Sequence, residues 1–145
     1  MCRGQYLGKG GFAICYELKD VESHETFAAK VISKKRLIKS RAREKLLTEI
    51  RIHRSLHHRH VVKFERFFED DKNVYLLLEL CEAATLAAEL SKRKRMSEAQ
   101  AGSYIYQIVD ALVYMHQQQL VIHRDLKLGN LFLQSVTEVK IGKIP

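Results

Sequence analysis

Apolar and polar positions alternate through much of the first half of the chain. Gln5–Leu7 and Ile14–Leu18 read as two strands joined by a glycine turn at Gly8–Gly11, which predicts a β-hairpin with LGKGGFA at its tip. Thr26–Ile32 is a third strand. The period then changes. Over Ala42–Leu56, Leu46, Ile50 and His53 recur on one helical face, and Glu49 falls on that same face. Val61–Phe68 and Val74–Leu80 read as two more strands, separated by the turn-forming EDDKN at Glu69–Asn73.

The second half is helical. Leu86–Lys92 predicts a short helix. Ser97, with Gln100 three residues on, opens a longer one in a capping-box pattern, running to His116. Ile105, Ile108, Val109, Leu112 and Val113 form its apolar stripe. Short strands follow at Leu131–Leu133 and Val139–Ile141. Five strands with one helix, then mostly helix, predict an α+β chain of two lobes with a hinge at Glu79–Cys81.

Composition narrows the class. A chain of 145 residues can bury a real core. With 46% hydrophobic residues, 29% charged and a single proline, it belongs with folded chains and not with disordered ones. No apolar run approaches a membrane span, and the opening MCRGQYLGKGG has no signal region, so neither membrane association nor secretion is expected. Cys2, Cys15 and Cys81 have no CxxC spacing, which suits reduced thiols in the cytoplasm or nucleus. The net charge of +8 concentrates in Lys34–Arg43 and Ser91–Arg95. No aromatic residues interleave with these runs, so solvated basic surfaces are expected and not a nucleic-acid site.

Three segments carry chemistry. In LGKGGFAIC (Leu7–Cys15), Gly8 and Gly10 let backbone approach phosphates while the turn offers N–H donors. This loop joins two strands and does not open a helix, which argues against a dinucleotide site of the βαβ kind. In AAKVI (Ala28–Ile32), Lys30 lies in an apolar strand and needs either an exit to water from an edge or a carboxylate partner. Glu49 is the candidate partner, with Arg43 or Arg54 as alternative mates for that glutamate. In HRDLKLGN (His123–Asn130), Asp125 can take a proton from an attacking hydroxyl, Lys127 can balance charge on a moving phosphate, and Asn130 can hold a magnesium ion. His123 reads as packing beneath the loop.

The order LGKGGFA, AAKVI, a helix glutamate and HRDLKLGN resembles the eukaryotic protein kinase pattern. The lysine two after the aspartate is typical of serine/threonine kinases. LGKGGFAICYE, REKLLTEIRIHRSLHHRHVVKF, FFEDDKNVYLLLELC and VIHRDLKLGNLFL look like a polo-like kinase. The resemblance implies a protein-kinase-like fold: a five-stranded antiparallel first lobe with one main helix (3–80), then the first, mostly helical part of the second lobe (81–145). It implies ATP and magnesium as cofactors and a protein hydroxyl as acceptor. Gly8, Lys9, Gly10 and Gly11 would lie over the phosphates, held by Lys30 and Glu49. Leu7, Cys15 and Ala28 would roof the base. Leu78 would be the gatekeeper, with Glu79 and Cys81 bonding adenine through their backbone.

One position departs from the pattern. The second metal-binding aspartate, of a DFG triplet, would fall at Lys143. A lysine there repels the ion it should attract, by roughly 4 kcal/mol for a contact pair at an effective dielectric of about 20. The expectation is an incomplete kinase chain, inactive alone, with a partner over the apolar face of the Ser97–His116 helix. The alternative is a nucleotide- or partner-binding module without catalysis.

Overall fold

The computed structural model describes residues 1–10, 13–81 and 83–142. The chain divides into two compact units, Met1–Arg51 with Phe64–Leu80, and Ile52–Lys63 with Cys81–Pro145.

The first unit is built on an antiparallel sheet of β1 (Cys2–Lys9), β2 (Ala13–Lys19), β3 (Thr26–Ser33), β4 (Phe64–Glu69) and β5 (Asn73–Glu79), in the order β1-β2-β3-β5-β4. Alternation sends successive side chains to opposite faces. Ala13, Ile32, Val74 and Leu76 pack with Phe64 and with Leu46 and Ile50 of helix α1 (Ser40–Ser55). Leu18, Ala29 and Leu77 form a second cluster with Phe27, Val31, Phe68 and Tyr75. Leu76 and Leu77 are neighbours on opposite faces and both are buried, so β5 is a central strand.

Carboxylates shape two of the connections. Asp20 Oδ1 accepts from the N–H groups of Glu22 (3.0 Å) and Ser23 (3.4 Å), while its Oδ2 takes a 2.7 Å bond from Arg66. Asp70 accepts from the N–H groups of Lys72 (2.7 Å) and Asn73 (2.6 Å) and from the Tyr75 hydroxyl (2.8 Å). This is the turn expected from EDDKN.

The second unit holds a core of Leu56, Val61, Leu86, Tyr104, Ala111, Met115, Leu131, Leu133, Val139 and Ile141. Helix α2 (Leu86–Arg93) is capped by the Thr85 hydroxyl, which accepts from Ala88 N–H. Helix α3 (Glu98–Val113) is capped by Ser97, whose hydroxyl accepts from Gln100 N–H at 3.2 Å. Only half of the capping box forms. The Gln100 amide bonds the Tyr104 hydroxyl and the Val136 carbonyl instead. Beyond Val113 the chain widens into a π turn over Tyr114–Gln118 and does not continue as α-helix to His116. The hairpin of β6 (Leu131–Leu133) and β7 (Val139–Ile141) forms where expected.

One further expectation shifts. The strand read over Val61–Phe68 is two structures. β4 starts at Phe64, while Val61 makes a parallel bridge to Ile141. Val62 N–H donates to Ile141 O, and Ile141 N–H donates to His60 O, each at 2.8 Å. The apolar face of α3 expected to stay open does so in part. Tyr104, Ala111 and Met115, just beyond the helix, are buried, with Ile108 and Leu112 packed beside them, whereas Ile105, Val109 and Val113 are exposed. Apolar residues occupy more than one face of this helix, so periodicity alone does not choose between them.

Candidate active site

The first unit presents the phosphate-gripping candidates. β1 and β2 bring Gly8 opposite Cys15 and Lys9 opposite Ile14. Gly8 has φ 156°, which L side chains rarely adopt, although a Cβ there would meet nothing within 4 Å; backbone conformation and not space calls for glycine. Gly10 N–H donates to Ala13 O at 2.9 Å, closing the tip. Gly11 lies outside the described residues. Leu7 is exposed at the end of β1.

Lys30 lies in β3 between Cys15 on β2 and Leu76 on β5. β3 is an internal strand, so an exit over a sheet edge is not open to it. Its Nζ instead pairs with Glu49 Oε1, with the two side chains 23% and 22% exposed. This settles the glutamate's mate as Lys30 and not Arg43 or Arg54. The contact spans nineteen residues and joins the sheet to α1.

Strand alternation puts Cys15, Ala28, Lys30 and Leu78 on one face, because Cys15 faces Lys30 and Ala28 faces Leu78 in register. Burial pushes the Cys15 thiol above its ordinary pKa, and the Lys30 charge only partly opposes this. Leu78 packs against the cluster beneath α1. Glu79 faces Phe27 at the end of β5, and Cys81 is the first residue of the second unit's longer segment.

The second unit carries the loop. His123 is buried and donates from Nε2 to Gly142 O at 2.8 Å, while its Nδ1 accepts from Asp125 N–H at 3.3 Å. It is a support beneath the loop. Arg124 sits at φ 63°, a left-handed conformation that a non-glycine residue holds only when its neighbours fix it. Asn130 is buried. Its Nδ2 donates to the Asp125 carbonyl (2.6 Å) and to the Asp125 carboxylate (3.1 Å). Lys127 Nζ lies 3.3 Å from the other carboxylate oxygen of Asp125. The loop therefore brings together the three residues singled out by sequence.

Sequence reasoning passed over what holds this loop in place. Gly142 N–H donates to Asn130 O at 2.9 Å. A Cβ on Gly142 would come within 2.6 Å of the Phe132 ring and 3.3 Å of Val62. Gln107 accepts from Val139 N–H (2.9 Å) and donates to Thr137 O (2.8 Å), anchoring β7 to α3. A glutamine on a helix carries no local signal of such a role. Lys143 lies outside the described residues.

The first unit thus carries an ion-paired lysine on an internal strand beside the glycine turn, and the second carries an aspartate, a lysine and an asparagine on one buttressed loop. The chain belongs to the protein kinase domain family, whose model matches residues 2–143. It is 48% identical over 141 residues to the serine/threonine-protein kinase PLK2 of Mus musculus, covering 97% of this chain and 20% of that protein. It is 49% identical over 140 residues to the serine/threonine-protein kinase polo of Drosophila melanogaster (97% and 24%) and 51% identical over 140 residues to PLK1 of Xenopus laevis (97% and 23%). The chain thus spans about a fifth to a quarter of the length of these relatives.

Proposed function

We propose that this chain carries the nucleotide-gripping and catalytic-loop residues of a protein serine/threonine kinase of polo-like type, which transfers the γ-phosphoryl group of ATP to a protein hydroxyl. The observation that carries the reading is the Lys30–Glu49 pair on the internal face of the sheet. A pairing of this kind holds an ammonium ready for the α/β-phosphates. The names of its relatives, all serine/threonine-protein kinases, support the same reading.

Each residue has a role in that chemistry. Gly8, Lys9, Gly10 and Gly11 cover the phosphates, and Leu7, Cys15, Ala28 and Leu78 surround the base with the backbone of Glu79 and Cys81. Asp125 accepts the hydroxyl proton and orients the attacking oxygen. Lys127, beside that carboxylate, balances charge on the phosphate in transit. Asn130 is suited to magnesium: its amide nitrogen is engaged with Asp125, and its oxygen Oδ1 is the atom that would hold the ion. When bound, the ion supplies neutralisation of the phosphate charge. Unbridged cysteines among the described residues fit a reducing compartment, the cytoplasm or nucleus.

A second reading rests on one observation. The sequence places Lys143 where the kinase pattern has its second metal aspartate. On that reading the chain binds nucleotide without transfer. Two measurements decide between them. Calorimetric titration with ATP and magnesium should show binding that Lys30→Ala abolishes. Transfer of labelled phosphate to dephosphorylated casein, lost on Asp125→Ala, supports the kinase. Binding without transfer supports the second reading, and absence of both rejects the site.

A further inference from the structure

The turn that follows α1 contains a histidine whose two ring nitrogens are both engaged, and the proposed chemistry uses neither. His58 Nδ1 accepts from the backbone N–H of His60 at 3.1 Å. Its Nε2 lies 3.3 Å from Asp110 Oδ2 on α3. An N–H group can donate only to an unprotonated nitrogen, so the first contact places the ring proton on Nε2, where it reaches the carboxylate. The ring stacks on Tyr114, with centroids 5.0 Å apart at 27°, and His57 N–H donates to the Tyr114 hydroxyl at 2.8 Å. Neutral His58 thus adds a ring-to-backbone bond to a turn that Val61 N–H also closes on the His58 carbonyl at 3.0 Å, and it ties that turn to the end of α3.

We propose that His58 is an acid-sensitive latch: protonation of Nδ1 evicts the His60 N–H and loosens the 58–60 turn. The groups facing the ring are Asp110 and Tyr114 from α3 and its end, with Arg59 and His60 from the turn itself. Asp110 favours the charged ring, but its side chain is 50% exposed and solvent weakens its pull. Burial of the ring outweighs it, and His60 and Arg59 add to the opposition, so the His58 pKa is lowered from its ordinary value. A histidine with a lowered folded pKa binds its proton more readily in the unfolded chain. Its contribution to stability is complete above the unfolded value near 6.5 and is lost as pH falls through the folded value.

The test is a pH titration of the 145-residue chain followed by nitrogen-15 NMR. At neutral pH the His58 ring should carry its proton on Nε2. Its titration should fall below that of a free histidine, and the His60 amide should lose hydrogen-exchange protection over the same range. His58→Asn, which can still accept from the turn, should reduce the drop in melting temperature between about pH 7.5 and about pH 5.5 by about 2 °C. A ring protonated on Nδ1 at neutral pH, a titration above the free value, or His60 protection that does not follow His58 overturns the proposal. The ring and amide readings need only the unsubstituted chain, so a variant that fails to fold leaves the test intact.

Discussion

Asn130 holds Asp125 from two sides, donating from one amide nitrogen to the aspartate's carbonyl at 2.6 Å and to its carboxylate at 3.1 Å. On the proposed reading this buried amide both fixes Asp125 and offers its oxygen to magnesium, so it cannot be replaced for one role without harm to the other. Asn130→Ala should cost about 1–3 kcal/mol of stability, the usual penalty for buried partners left unsatisfied, and should remove the magnesium dependence of nucleotide binding. Thermal melting and titration with and without magnesium check both. Unchanged stability would contradict the supporting role.

The Lys30–Glu49 pair makes a separate prediction. Glu49→Gln keeps the shape and removes the charge that holds the lysine. ATP affinity should fall about tenfold, or roughly 1.4 kcal/mol, with the fold intact by circular dichroism. An affinity equal to that of the parent chain would mean that the lysine needs no carboxylate to reach phosphate.

Gly142 should tolerate no side chain. The Cβ of Gly142→Ala would meet the Phe132 ring at 2.6 Å, and overpacking of this kind typically costs about 1–3 kcal/mol. Adding Phe132→Leu should restore part of the loss, because the smaller side chain clears the clash. Denaturant unfolding of the single and double variants measures the recovery.

The Asp70–Tyr75 bond shifts the two groups in opposite directions. The bond from the Tyr75 hydroxyl, ahead of those from Lys72 and Asn73 N–H, lowers the Asp70 pKa, and the same bond raises that of Tyr75. The aspartate's contribution is present above its unfolded value and is lost as pH falls through the folded one. The tyrosine's is present below its unfolded value and is lost as pH rises through the folded one. Asp70→Asn should flatten the acid limb of the stability profile, and Tyr75→Phe the alkaline limb. Melting temperatures across the pH range read both slopes.

Ile105, Val109 and Val113 expose 60%, 51% and 42% of their surface along one face of α3, which marks an apolar stripe open to association. Changing all three to glutamine should leave each site within about 0.5 kcal/mol of the parent stability, as for surface positions generally. Sedimentation velocity should show less self-association. A collapse of the cooperative melt would show instead that the stripe is part of the folded core.

Much of the candidate site was legible because its signals are local. The glycine hairpin, the lysine within an apolar strand and the string from His123 to Asn130 each declare themselves within a few residues. The Glu69–Asn73 turn and the Ser97 cap formed as expected, because an Asp, Asn or Ser side chain satisfies backbone N–H groups only two or three positions away. The sequence left the partner of Glu49 open among Lys30, Arg43 and Arg54. Only the register of β3 beneath α1 decided it.

What the sequence determined by itself was the order of elements and the choice of candidate reactive groups, since both depend on neighbours along the chain. Tertiary structure decided which apolar face of α3 turned inward, that Val61 would bridge to Ile141, and that Gly142 would brace both His123 and Asn130. Those outcomes join residues tens of positions apart. Periodicity reports that a face is apolar, but burial is settled by what packs against it, and a hydrogen bond is settled by which distant carbonyl the fold brings within reach.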